Sequence, residues 1–168
     1  MKQRRWFFYA LVFLQLLFLI LMSVSYYAMD LWGKTITLKT APVDPRDPFY
    51  GDYVRLNYDI EQIPEEKWKG EETVDRGEKV FLLLEENEEG IYELVEASTI
   101  WPEKSDGQVV LSSKYQTSAS ALDQYQVDIG LGKYYIEENT GAIWEQREER
   151  TVEVVLAPWK QKKIVSLK

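Results

Sequence analysis

The sequence predicts a mainly β fold, an antiparallel sandwich or open barrel with one short helix, preceded by a single transmembrane helix. Three observations carry that prediction. Trp6 to Met29 is a run of 24 residues without a charge. Beyond it, about seven or eight short stretches of alternating or wholly apolar residues are separated by Gly-, Pro- and Asn-containing breaks. The remainder, residues 30–168, suits one domain: long enough for a core, too short for two.

The apolar run is dominated by Leu, Phe, Ile, Val and Met and meets the ~20 residues that a helix needs to cross a bilayer core. Trp6 and Tyr9 at one end, with Tyr26, Tyr27 and Trp32 at the other, resemble interfacial belts. Gln15 is the one amide inside it, either tolerated alone or offered to a partner helix. Lys2, Arg4 and Arg5 precede the run and hold that end in the cytoplasm. The expected layout is a cytoplasmic stub (1–5), an anchor (6–29) and an extracytoplasmic β-rich domain (30–168) on a cell membrane. A cleaved signal peptide fits less well: Ser23-Val24-Ser25 is followed by bulky Tyr26 and Tyr27, and the run is long for a signal.

Composition narrows the chemistry. The chain of 168 residues has no cysteine and no histidine. A disulfide framework, a thiol nucleophile, Ser-His-Asp or Cys-His catalysis and imidazole- or thiolate-held zinc are therefore excluded within it. No nucleophile–base pair is evident, and no enzyme activity or cofactor is expected. All 28 carboxylates fall at or after Asp30, together with 17 of the 20 basic residues, a net −11. Such a domain repels phosphate backbones, so nucleic acid is not an expected partner.

Along the domain, Gly33 to Thr40 alternates, with Ile36 and Leu38 on one face, as a first strand. A proline-stiffened acidic loop follows. Asp44-Pro45 and Asp47-Pro48 hold extended or turn conformations, because a residue before proline avoids the helical region. Gly51-Asp52 reverses the chain into a strand where Val54, Leu56, Tyr58 and Ile60 oppose Tyr53, Arg55, Asn57 and Asp59. Glu61 to Glu78 reads as a loop tucked down by Trp68. Lys79 to Leu84, apolar on both faces, reads as a central strand, joined through Asn87–Gly90 to a partner over Ile91 to Ala97. Gln108 to Tyr115 is the next strand. Gln124 to Ile136 is another, bent at Gly130 and Gly132. Asn139 or Thr140 caps a short helix through Glu149. Thr151 to Leu156 and Lys163 to Leu167 close the domain as a hairpin, with Val152, Val154 and Leu156 inward.

GDYVRLNY, residues 51–58, resembles the signature of the bacterial GDYXXLXY proteins: Gly51, Asp52, Tyr53, Leu56 and Tyr58 fill all five specified positions. The lead-in DPRDPFY is also similar. GLGKYYIEENTGAIWE (130–145) resembles the family's second block, YFVPEGTG and a short acidic helix, with a departure at Ile136 to Gly141. The resemblance implies a membrane-anchored protein with an extracytoplasmic domain, no attached activity, and a polytopic membrane protein as partner. The implied role is a non-enzymatic accessory or interaction protein.

The residues that carry such a role are expected to be Asp44, Arg46, Asp47, Gly51, Asp52 and Tyr53, with Arg55 and Asn57 on the outward side of the same strand. Three carboxylates near one another could gather a hard cation. The simpler reading pairs Arg46 with one and spends the others on backbone N–H groups, and no metal is expected. Exposed aromatics (Tyr50, Tyr53, Trp68, Trp101, Trp144, Trp159) could instead stack on cell-wall glycans, although most tryptophans of a small β-domain are core. A looser likeness to anchored Ser/Lys signal peptidases lacks its chemistry. No serine lies between Lys34 and Ile60, and Val43 and Asp44 stand where the nucleophile would be.

Overall fold

The computed structural model describes residues 2–41, 53–71, 73–119, 124–135 and 150–168. The short helix expected after Asn139 or Thr140 lies outside them. The protein is mainly β, with two curled antiparallel sheets, one a half-barrel and one nearly closed. They are preceded by the helix α1, Lys2–Trp32. Its 28-residue stretch Arg5–Trp32 is long and apolar enough to cross a membrane, and its most apolar window has a mean hydropathy of 2.5 with none of it buried.

The helix runs three residues beyond the predicted Met29 and stops for a specific reason. The Gly33 N–H closes the last turn on the Met29 carbonyl at 2.9 Å, and strand β1, Lys34–Ala41, begins at once. One residue is thus the whole connection. β1 pairs along seven residues with β10, Arg150–Leu156, from Lys34↔Leu156 to Thr40↔Arg150. β10 in turn pairs with β11, Lys162–Leu167. With β3, Asn57–Tyr58, on the other side of β1, these form the first sheet in the order β11-β10-β1-β3.

The second sheet has five strands: β4 (Gln62–Pro64), β5 (Lys79–Glu86), β6 (Tyr92–Ser98), β7 (Val109–Ala119) and β8 (Gln124–Asp128). Their order, β4-β8-β7-β5-β6, puts β5 between two partners. Its sequence is apolar on both faces because Val80, Leu82 and Leu84 enter the core while Phe81, on the other face, packs on Trp101 with ring centroids 5.1 Å apart. Asn87 shapes the β5–β6 turn by accepting the N–H groups of Glu89 and Ile91 on its Oδ1, and Gly90 takes φ +79 there. Residues 61–78, read as a loop, contain β4 and one short 3-10 turn, Glu65–Lys67, with another, Asp59–Glu61, ending at their start; the polar sequence hid β4 because Ile63 is its one buried side chain. Trp68 does tuck this segment down, stacking on Tyr125 with ring centroids 4.3 Å apart.

The core lies between the sheets. Ile36, Leu38, Val152 and Val154 come from one side and Val80, Leu82, Leu84, Leu111 and Val127 from the other. Each such side chain stabilises the domain by about 1.5–3 kcal/mol. Val155, on the outward face of β10, is covered as well. It packs with Ala157 against Met29 of the helix. Asp30 adds an ion pair to Lys163 of β11 at 2.7 Å.

The Gly33 joint is tight. A Cβ there would stand 2.3 Å from Val155 Cγ1 and 2.4 Å from the Met29 carbonyl oxygen. Gly33→Ala is expected to cost about 2 kcal/mol and to lower the melting temperature of the full chain by roughly 5 °C. Gly132→Ala, whose Cβ would meet Leu56 O at an ordinary 3.6 Å, should change little. Equal losses in the two variants by thermal melting would contradict the joint.

Candidate functional site

Residues 53–61 act as a clamp. Leu56, Tyr58 and Ile60 are buried while Arg55, Asn57 and Asp59 are exposed, as the alternation predicts. The single strand it also predicts is instead two. β2, Tyr53–Arg55, pairs with β9, Lys133–Tyr135, in a small sheet of its own. β3 then crosses to β1, pairing Asn57 with Ala41 and Tyr58 with Thr40. Strict alternation sets which face each residue takes, but it carries no information about which neighbour supplies the hydrogen bonds.

The crossing point holds the 129–132 segment by its backbone. The Leu56 N–H donates to the Gly132 carbonyl at 3.0 Å. The Tyr58 hydroxyl donates to the Leu131 carbonyl at 3.1 Å. Glu61 completes the grip, accepting the Ile129 N–H on Oε1 at 3.0 Å and the Tyr58 N–H on Oε2 at 3.1 Å. Gly130 supplies the bend with φ +73, and its N–H donates to Asp128 Oδ1 at 2.6 Å.

Burial, reinforced by the charge of Glu61, holds the Tyr58 hydroxyl protonated, well above the ordinary phenol range. Burial also pushes the Glu61 carboxyl upward. The two N–H bonds and the Lys162 ammonium pull it back, and the Asp128 charge adds to the rise. Lys162 opens β11 and donates to the Ser112 carbonyl of β7, joining the two sheets. Its burial brings the ammonium down to about 8, against the attraction of Asp128 and Glu61.

Over this clamp lies an open cleft of about 860 Å³, lined among others by Arg55, Asn57, Glu61, Arg76, Asp128 and Lys133. Arg76 donates to Gln116 Oε1 at 3.3 Å, and Gln116 Nε2 donates to Asp128 Oδ2 at 3.4 Å. Both oxygens of each carboxylate are therefore engaged by the fold, while the Arg55 guanidinium has no side-chain partner among the described residues. That arrangement can hold an acidic or amide-bearing partner by charge-assisted hydrogen bonds.

Of the residues singled out from the sequence, Asp44, Arg46, Asp47, Gly51 and Asp52 lie outside the described residues, as do Tyr50 and Trp144. Tyr53 is described by its backbone, paired with Tyr135. Arg55 and Asn57 are exposed, as the alternation predicts, but on two strands, β2 and β3, rather than one; both line the cleft. Trp68 belongs to the packing rather than to a glycan platform. Among the described residues no group of three metal-ligating side chains gathers. Glu61, Asp128, Arg76 and Lys162 were missed. Glu61 stands three residues after Tyr58, the spacing of a capping box, but without the Ser or Thr that would mark one.

The family model described as GDYXXLXY protein matches residues 15–167. No curated protein and no solved structure matches the chain.

The depressed Lys162 ammonium has a measurable consequence. Its contribution to stability is fully present above pH 10.5 and is lost as pH falls through about 8. Relative to Lys162→Met, the parent should therefore gain up to about 3 kcal/mol of unfolding free energy between those values. A difference that stays constant across that window in denaturant titrations would contradict the buried placement.

Proposed function

Because the chain belongs to the GDYXXLXY family, we propose that it is a non-enzymatic, membrane-anchored accessory protein whose extracytoplasmic domain works beside a polytopic membrane protein. The observation that carries this reading is the mounting of the domain. A helix fit to cross a membrane, exposed along residues 5–24, passes into a central strand through Gly33 alone. It is held there by Met29 on Val155 and by Asp30 on Lys163. A soluble module on a tether needs none of these contacts; a module that must face a membrane neighbour in one orientation does.

Two further features support the proposal. Gln15 is the one amide in the uncharged Trp6–Met29 run, and in hydrocarbon it gains from a hydrogen-bonding partner helix. The cleft beside Arg55 and Asn57 offers polar contacts, with its carboxylates already engaged by the fold, an arrangement suited to binding. Lys2, Arg4 and Arg5 ahead of the apolar run support the proposed orientation, with that end in the cytoplasm and the domain outside, through the positive-inside bias.

The test is photo-crosslinking of the full chain in its native membrane, with a benzophenone side chain at Gln15 in one sample and at Arg55 in another. Both positions are expected to capture the same multi-spanning protein. Adducts confined to second copies of this chain, or different proteins from the two positions, would overturn the reading.

A further inference from the structure

The turn between β10 and β11 does not stop where the helix ends. Beyond the Lys34↔Leu156 pair, the chain continues as Ala157–Gln161 back alongside α1. The Ser25 hydroxyl donates to Gln161 Oε1 at 3.1 Å, the Trp159 indole N–H reaches the same oxygen at 2.8 Å, and Lys163 lies over the Tyr26 ring at 4.4 Å. Ser25 stands about two helical turns before Trp32. The turn therefore reaches the level of the helix where Tyr26 and Tyr27 form an aromatic belt.

The surface around it has the wrong character for a water-facing end. Leu31, Trp32, Ile100, Trp101 and Trp159 are all exposed, at 79, 67, 74, 47 and 39 %. Lys160 sits over the Trp101 ring at 4.4 Å and takes φ +72, a position in such turns that glycine usually fills. A left-handed lysine carries a cost of about 1 kcal/mol, so its side chain has a use there. Behind the turn is a cleft of about 500 Å³ between Trp32 and Trp101, into which Lys34, Lys104, Lys160 and Lys162 contribute. Asp106 is the single carboxylate of that lining. Lys34 and Lys162 donate to the Gly107 and Ser112 carbonyls of that lining, so Lys104 and Lys160 are the lysines that present charge at the foot of the helix, on a portion of chain whose net charge is −11.

We propose that this end of the domain is a second membrane contact: the Pro158–Lys160 turn and Ile100–Trp101 seat in the headgroup layer, and the lysine-lined cleft takes the phosphates of anionic phospholipids. Tryptophans at the interface and lysines against anionic headgroups are the side chains this environment favours. The contact is continuous with the helix, so the entropy of bringing the turn to the surface is already met by the Gly33 joint. The proposal rests on α1 crossing the bilayer.

The absence of native cysteine allows single labels. The full chain carrying Pro158→Cys, Leu17→Cys or Glu71→Cys, each with an environment-sensitive fluorophore, would be placed in nanodiscs whose lipids bear headgroup-level or deep nitroxides. Glu71 lies by the Trp68–Tyr125 stack, at the opposite end of β7 from the cleft. Expected are deep quenching at 17, headgroup-level quenching at 158 and none at 71. Contact at 158 should be stronger by roughly fivefold or more in phosphatidylglycerol than in phosphatidylcholine, and the preference should vanish in the Lys104→Glu, Lys160→Glu double variant. Quenching at 17 without quenching at 158 overturns the proposal and leaves the spanning helix intact. No quenching at 17 overturns the spanning helix itself. Equal quenching at 158 in both lipids overturns the phosphate-binding role, and this comparison uses no charge-reversed variant.

Discussion

A helix that ends on one glycine and becomes a central strand on the next residue leaves no slack between the two. Gly33 meets that constraint because a side chain there would collide with Val155 and with the Met29 carbonyl. The contacts around it add direction: an apolar patch from Met29, Val155 and Ala157, and the Asp30–Lys163 pair. β1 lies inside its sheet with partners on both sides, so a force on the helix is delivered to the middle of the fold. Whatever sets the tilt and rotation of α1 sets the orientation of the domain as well.

The family signature acquires a physical meaning from the clamp. Its Leu and second Tyr, Leu56 and Tyr58, are interior groups that hold a turn and carry the chain from one sheet to another. Glu61, just past the signature, satisfies two backbone N–H groups that would otherwise be buried without partners. An apolar side chain at that position would leave both unpaired, which is costlier than keeping a carboxylate partly desolvated. The outward positions between, Arg55 and Asn57, are free of these duties and face the cleft. One stretch therefore serves assembly with its inner residues and presents a surface with its outer ones.

Periodicity made most of the fold legible. Ile36 and Leu38, Val80 to Leu84, and Val152 and Val154 occupy the sides their spacing indicates, and the hairpin turns fall at Asn87–Gly90 and around Pro158. Pairing was less legible. Nothing in the alternation of Tyr53 to Ile60 signals that the strand changes sheets at Leu56, because that switch depends on Gly132 arriving from far along the chain. β4 escaped notice because a three-residue strand with one buried side chain has no period to detect. The candidate cleft was half visible: Arg55 and Asn57 follow from the alternation, while Asp128 and Arg76 come beside them only through folding. The burial of Val155 was hidden for the same reason, since its cover is the helix.

Orientation is the quantity on which this account turns. Spin labels at Val24→Cys on the helix and Glu71→Cys in the domain, in the full chain in nanodiscs, would report it by pulsed dipolar spectroscopy. The account predicts a single narrow distance distribution, the same in bilayer and detergent. A broad or multiple distribution would mean that the domain swings on its helix, and would contradict it.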